Sequence, residues 1–314
     1  MTPTLNERAF ALVQSMRRHA DELRVAFHEV GGATVVDCGI AAVGGIRAGL
    51  QLSQVCLAGL GDVSLLPTDE SSVSMPRIQV FSDQPVLACM ASQYAGWQIS
   101  VGKYFAMGSG PMRAQYGKEK LFDDIPGREQ SPVAVGVFET SKLPTADVVQ
   151  QLAEKLALPA TALTLLAART ASLAGNVQVV ARSLEMALHK LHELKFDLMQ
   201  VVSGAACAPL PPPARDDLAA IGRTNDAILY GGRAVVYVRA DDVQLSEIGP
   251  KIPSNASPEF GALFGELFEK YKDFYKIDPV LFSPAEITIC NIASGRVHRF
   301  GKIAPEILER SFFT

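Results

Sequence analysis

Arg182 and Glu185 stand three residues apart in the stretch VVARSLEMALHK, residues 179–190. At 100° per residue that spacing puts both on one helical face, with His189 a further turn along it. A carboxylate beside a guanidinium has two readings. One is a solvated i,i+3 ion pair, contributing about 0.2–0.5 kcal/mol. The other is a general acid/base whose ionisation is tuned by a fixed cation: desolvation raises the carboxyl pKa and the arginine lowers it. The pair borders an apolar stripe of Ala181, Leu184, Leu188 and Leu191, so a half-buried or cleft-facing position is expected. The small residues of the preceding TASLAGN run are expected to leave room for a ligand.

The same face offers a metal reading. Glu185, His189 and His192 are a carboxylate and two imidazoles, the ligand types of a divalent ion. Their span of about 10 Å along a helix is too long for three ligands to close on one ion without distortion.

Other polar groups could position a substrate. Gly108-Ser109-Gly110 precedes Pro111, and proline suits the first position of a helix. Free N–H groups there could hold an anion, with Lys103 and Arg113 adding charge. A tight strand-to-helix turn is the alternative reading. Arg223, Thr224, Asn225 and Asp226 precede the apolar run AILY, where they line a cleft or form an Asx-capped turn. No Walker sequence, dinucleotide fingerprint or nucleophile elbow occurs.

Composition narrows the classes. The 314 residues are 48% hydrophobic and 20% charged, enough for a substantial core. A net charge of −4 argues against general nucleic-acid binding. Five scattered cysteines give neither zinc nor redox spacing and fit reduced thiols in a cytoplasmic protein. No apolar run spans a bilayer, and the start reads as an amphipathic helix rather than a signal peptide.

The elements that must carry these residues read as follows. An N-terminal helix leads into strands turning at Gly31-Gly32, and a second strand pair turns at Gly44-Gly45. RIQVFS is a strand, with a helix from about Pro85. WQISVGKYFAMGSGPMRA is a strand, a glycine-rich turn and a helix start. The polar run 115–131 marks a lobe boundary. PVAVGVFE and TALTLLAAR are strands flanking a helix capped by Thr145. AGNVQVVARSLEMALHKLHELK is one long helix. AILYGGRAVVYVRA and EITICNIASGRVHRFGKI are hairpins turning at Gly231-Gly232 and Ser294-Gly295. The expected architecture is α/β, α+β-like: two lobes with mixed sheets and an interlobe cleft, not a Rossmann fold. The lobes divide at residues 1–130 and 131–314, the second carrying the Arg182/Glu185 helix, with the C-terminal hairpin able to pack on the first.

Six stretches then carry a resemblance. TVVDCG (34–39), VCLAGLGDV (55–63), GWQISVGKYFAMGSGPMRA (96–114), SLAGNVQVVARSLE (172–185), GRTNDAILYGGR (222–233) and DFYKIDPVLFSPAEITI (273–289) together resemble the methenyltetrahydromethanopterin cyclohydrolases. They run in family order over nearly the whole chain. Ala181 stands where a glycine is expected, leaving the R-x-x-E spacing intact. The resemblance implies reversible hydrolysis of the methenyl bridge of a reduced pterin carrier in one-carbon metabolism. It implies a homotrimer, an interdomain pocket, and neither metal nor nucleotide as cofactor. It maps the catalytic glutamate and its arginine partner onto Glu185 and Arg182. Lys103, Ser109, Gly110, Arg113, Asn225 and Asp226 are expected to line the substrate pocket. Two alternatives stay open: a metal-dependent amidohydrolase using Glu185, His189 and His192, and a non-catalytic pterin-binding protein.

Overall fold

Gly31 and Gly32 adopt φ of 58° and 90°, the left-handed geometry of a two-residue hairpin, and join the first two strands as their sequence requires. The structure, a computed structural model, describes residues 2–68, 73–272 and 276–314. In chain order its strands are β1 (Ala26–Val30), β2 (Ala33–Gly39), β3 (Asp62–Leu66), β4 (Arg77–Ser82), β5 (Trp97–Val101), β6 (Tyr104–Ser109), β7 (Ala134–Glu139), β8 (Leu163–Ala168), β9 (Val201–Pro209), β10 (Arg233–Val238), β11 (Glu286–Asn291) and β12 (Val297–Gly301). The helices are α1 (Leu5–Arg18), α2 (Ala20–Leu23), α3 (Ile46–Cys56), α4 (Met112–Tyr116), α5 (Leu121–Asp124), α6 (Ala146–Leu156), α7 (Leu173–Val180), α8 (Ser183–Glu193), α9 (Asp217–Gly231), α10 (Asp242–Ile248), α11 (Phe264–Tyr271) and α12 (Pro305–Phe313). A wider π-type helix covers Val86–Gln93. The stretch beginning Asp273-Phe274-Tyr275 starts outside the described residues.

Two sheets form, each mixing parallel and antiparallel pairs, in the orders β1-β2-β8-β7-β6-β5 and β12-β11-β10-β9-β4-β3. They belong to two compact units. Residues 1–62 and 87–178 make one, and residues 63–86 and 179–314 make the other. The chain therefore changes unit three times, and residues 131–178 lie with the first unit rather than in a second lobe beginning at 131. The hairpin β11–β12 lies in the second unit, where β11 pairs with β10.

In the first unit the central strands β2, β8 and β7 are buried on both faces. One core packs Leu152, Leu156, Met112 and Phe138 against the sheet, and another packs Val13, Met16, Leu52 and Val55 from α1 and α3. The α1 start is secured twice. Thr4 and Glu7 form a capping box, and Glu129 accepts the Leu5 and Asn6 N–H groups at 2.7 and 2.9 Å. Glu129 thus ties the polar run 115–131 into this unit. Leu121, Phe122 and Ile125 are buried in it, so the run is not a lobe boundary.

Local patterns were misleading elsewhere. Gly44-Gly45 does not turn a hairpin, because Gly45 occupies the N-cap position of α3. Residues 97–109 form the hairpin β5–β6, turning at Gly102-Lys103, before the short α4. AILYGG is not the first arm of a hairpin but the end of α9, whose N-cap Asp216 accepts the Ala219 N–H at 3.0 Å. The Asp216-Asp217 pair is the helix-start signal that identifies it. The predicted long helix over 174–195 breaks at Ala181-Arg182 into α7 and α8. No proline or glycine forces that break. It lets α7 pack in the first unit while α8 packs in the second, so tertiary packing overrides helix propensity.

Candidate active site

Arg182 occupies the N-cap position of α8, and Glu185 lies in its first turn. They remain three apart, but on a helix start rather than a mid-helix face. Arg182 Nη1 stands 3.9 Å from Glu185 Oε2, and the residues are only 7% and 5% exposed. The solvated-pair reading therefore fails: water does not screen this pair as it screens a surface pair. Burial makes the Glu185 charge costly. The guanidinium and the positive end of the helix dipole offset that cost.

The second sheet positions the pair. Leu184, Leu188 and Leu191 are buried, as the stripe predicts, and α8 lies along β9, β10 and β4. Leu184 rests on Gly204 of β9, where an added Cβ would approach its Cδ1 to 2.8 Å. Strand β9 escaped the sequence reading because its inward residues, Gly204, Ala206 and Ala208, are too small to give an apolar alternation. Their size is what lets α8 sit close. Lys190, also missed, is buried on α8 and donates to the Val280 carbonyl at 2.9 Å, fixing the 279–281 turn against the helix.

The TASLAGN run does not leave open space. Ser172 Oγ accepts the Gly175 N–H and starts α7. A Cβ on Gly175 would come within 1.9 Å of the Arg169 carbonyl oxygen. On the facing helix α3, a Cβ on Gly49 would come within 2.6 Å of the Val177 Cβ. These small residues serve close packing of α7.

The remaining candidates divide between the units. In the first, Lys103 is exposed in the β5–β6 turn, at the other end of β6 from Ser109. Six residue steps along the strand, about 20 Å, separate them. Ser109 is buried and donates to the Val137 carbonyl at 3.0 Å, and the Gly110 N–H donates to Ser92. Arg113 is fully buried. Its guanidinium makes two bonds to Glu119, at 2.9 and 2.7 Å, and reaches the Met90 carbonyl at 2.9 Å. The expected anion cradle is thus a folded joint whose donors already have acceptors. In the second unit, Asn225 donates back to the Ile221 carbonyl at 2.8 Å. Asp226 accepts from the Phe264 N–H and from Ser311 Oγ. Both sit within α9, not at the entrance to a strand.

His189 pairs with Glu193 at 3.8 Å, and burial lowers its pKa. Among the described residues, no group of three or more His, Cys, Asp or Glu side chains is placed to hold a metal ion. No described helix is long and apolar enough to cross a membrane.

The fold comprises two mixed-sheet α/β units, and the second carries a buried carboxylate–guanidinium pair at the start of α8. Residues 4–312 match the profile of the family described as Cyclohydrolase (MCH), and the chain belongs to that family. It is similar to the methenyltetrahydromethanopterin cyclohydrolase of Methylobacillus flagellatus, at 43% identity over 99% of this chain and 95% of that protein. The protein of that name from Rhodopirellula baltica is 42% identical over the same shares. The one from Methanospirillum hungatei JF-1 is 38% identical over 98% of both chains.

Proposed function

We propose that this chain reversibly hydrolyses the methenyl bridge of methenyltetrahydromethanopterin to the 5-formyl compound, with Glu185 as general acid/base and Arg182 tuning it. Family membership and the names of its relatives support the reaction. The observation that carries the residue assignment is the burial of Glu185 within 3.9 Å of Arg182.

The bridge is an amidinium-like cation with an electrophilic central carbon. Water adds there, and Glu185 takes one of its protons. The charge on the bridge is neutralised as the C–O bond forms. Glu185 returns its proton to the departing nitrogen as the C–N bond breaks. The adduct hydroxyl loses its proton as the formyl C=O forms, so hydrolysis releases one proton overall. One carboxyl group serves both transfers, and no covalent enzyme intermediate is required. Arg182 keeps the buried carboxyl available as a base.

Lys103, with an exposed side chain, and Asn225 remain in the proposal as substrate-binding residues. Ser109, Gly110, Arg113 and Asp226 have fixed structural partners and are given no substrate contact. The proposal includes the homotrimer and the lack of a resident metal that the resemblance implies, and the cytoplasmic location that the scattered cysteines favour.

An absorbance assay with the methenyl forms of tetrahydromethanopterin and tetrahydrofolate, side by side, tests the reading. Bleaching of the first, undiminished after chelation, is expected. Binding without bleaching would make the protein a carrier, and loss of activity on chelation would restore the metal-dependent reading.

A further inference from the structure

Asp226 lies on α9 and is 2% exposed. Its two oxygens reach two other helices. Oδ1 accepts from the Phe264 N–H, at the first position of α11, at 2.9 Å. Leu263 at the N-cap offers no side-chain acceptor there, so Asp226 supplies the cap from a different helix. Oδ2 accepts from Ser311 Oγ, in the last turns of α12, at 2.6 Å.

The charged and titratable groups around it come from all three helices. Glu266 of α11 and Arg310 of α12 pair with each other at 3.5 Å. Arg223 of α9 directs its guanidinium to the Ser311, Pro212 and Pro213 carbonyls. The Tyr230 hydroxyl donates to the Ala262 carbonyl. Among the described residues no cation makes an ion pair within 4.0 Å of Asp226, although the Arg310 guanidinium nearby favours its ionised form and Glu266 its protonated form. A buried carboxylate without a paired counter-ion favours its protonated form. Burial pushes the Asp226 carboxyl up to about 6, against the lowering effect of the Ser311 and Phe264 hydrogen bonds.

We propose that the C-terminal helix α12 is a proton-controlled latch: with Asp226 protonated it stays seated on α9, and with Asp226 ionised it opens more readily. The group binds its proton more tightly with α12 seated than with α12 away and the carboxyl in water. Seating is strongest below the ordinary carboxyl value of 3.8, weakens as the pH rises to about 6, and is level above that.

Hydrogen exchange of the α12 amides, Ile307 to Phe313, corrected for intrinsic rates, tests the latch. Between about pH 5 and about pH 7.5 the protection of these amides in the wild type is expected to fall about tenfold. In Asp226→Asn it is expected to stay level. Should that variant not fold, Ser311→Ala provides the second test. It removes a donor that favours the ionised form, so the fall is expected to exceed that of the wild type. Level protection in the wild type, an equal fall in Asp226→Asn, or a smaller fall in Ser311→Ala would overturn the proposal.

Discussion

Arg182 and Glu185 face each other across 3.9 Å at the start of α8, one as the N-cap residue and the other in the first turn. Neither is exposed enough for water to take over the role of its partner. The pair and the helix start act in the same sense, since both favour the ionised carboxyl.

Glu185→Gln keeps the volume and the helix but removes the proton acceptor. Turnover is expected to drop by roughly 10²–10⁴-fold, the usual contribution of a positioned acid or base. Circular dichroism should match the wild type. Near-normal turnover in a folded Glu185→Gln protein would remove Glu185 from the chemistry.

Arg182→Ala takes away the cation that favours the Glu185 carboxylate. The acid limb of the pH–rate profile for hydrolysis should therefore move to higher pH, because a base must be ionised to act. A raised KM with an unmoved profile would assign Arg182 to substrate binding instead.

Arg113→Met leaves Glu119 without its cation and the Met90 carbonyl without its donor. Breaking such a buried pair costs about 3–5 kcal/mol, read as a lowered midpoint in urea unfolding. Adding Glu119→Gln should recover part of that loss, since the orphaned charge disappears. If Arg113→Met instead kept its midpoint and raised KM, the arginine would belong to substrate recognition.

Gly175→Ala places a methyl group where the Arg169 carbonyl oxygen already sits. Backbone on that side cannot yield as a flexible side chain would. Destabilisation of about 2–3 kcal/mol is expected, measured by thermal or urea unfolding. A neutral substitution would show that the α7 start has slack.

Much of this protein was legible in the sequence. Gly31-Gly32 and Ser294-Gly295 mark real hairpins, and Thr145 caps a real helix. The stripe of Ala181, Leu184, Leu188 and Leu191 is buried as its period requires. These features depend on hydrogen bonds and side-chain spacing within a few residues, so the local sequence contains their causes. The R-x-x-E spacing was legible too, but the break at Ala181-Arg182 makes Arg182 the N-cap of α8, so packing as well as helix pitch sets how the two side chains approach.

The tertiary structure decided what those causes could not reach. It broke the long helix at Ala181-Arg182 to serve two cores, and it interleaved the units by returning the chain twice. It turned Arg113 and Asp226 from candidate ligands for a substrate into joints, by bringing Glu119 and Met90 to one, and Phe264 and Ser311 to the other. Burial and partner choice are set by residues distant in the chain. A polar side chain read alone looks available, and only packing shows whether its hydrogen bonds are already made.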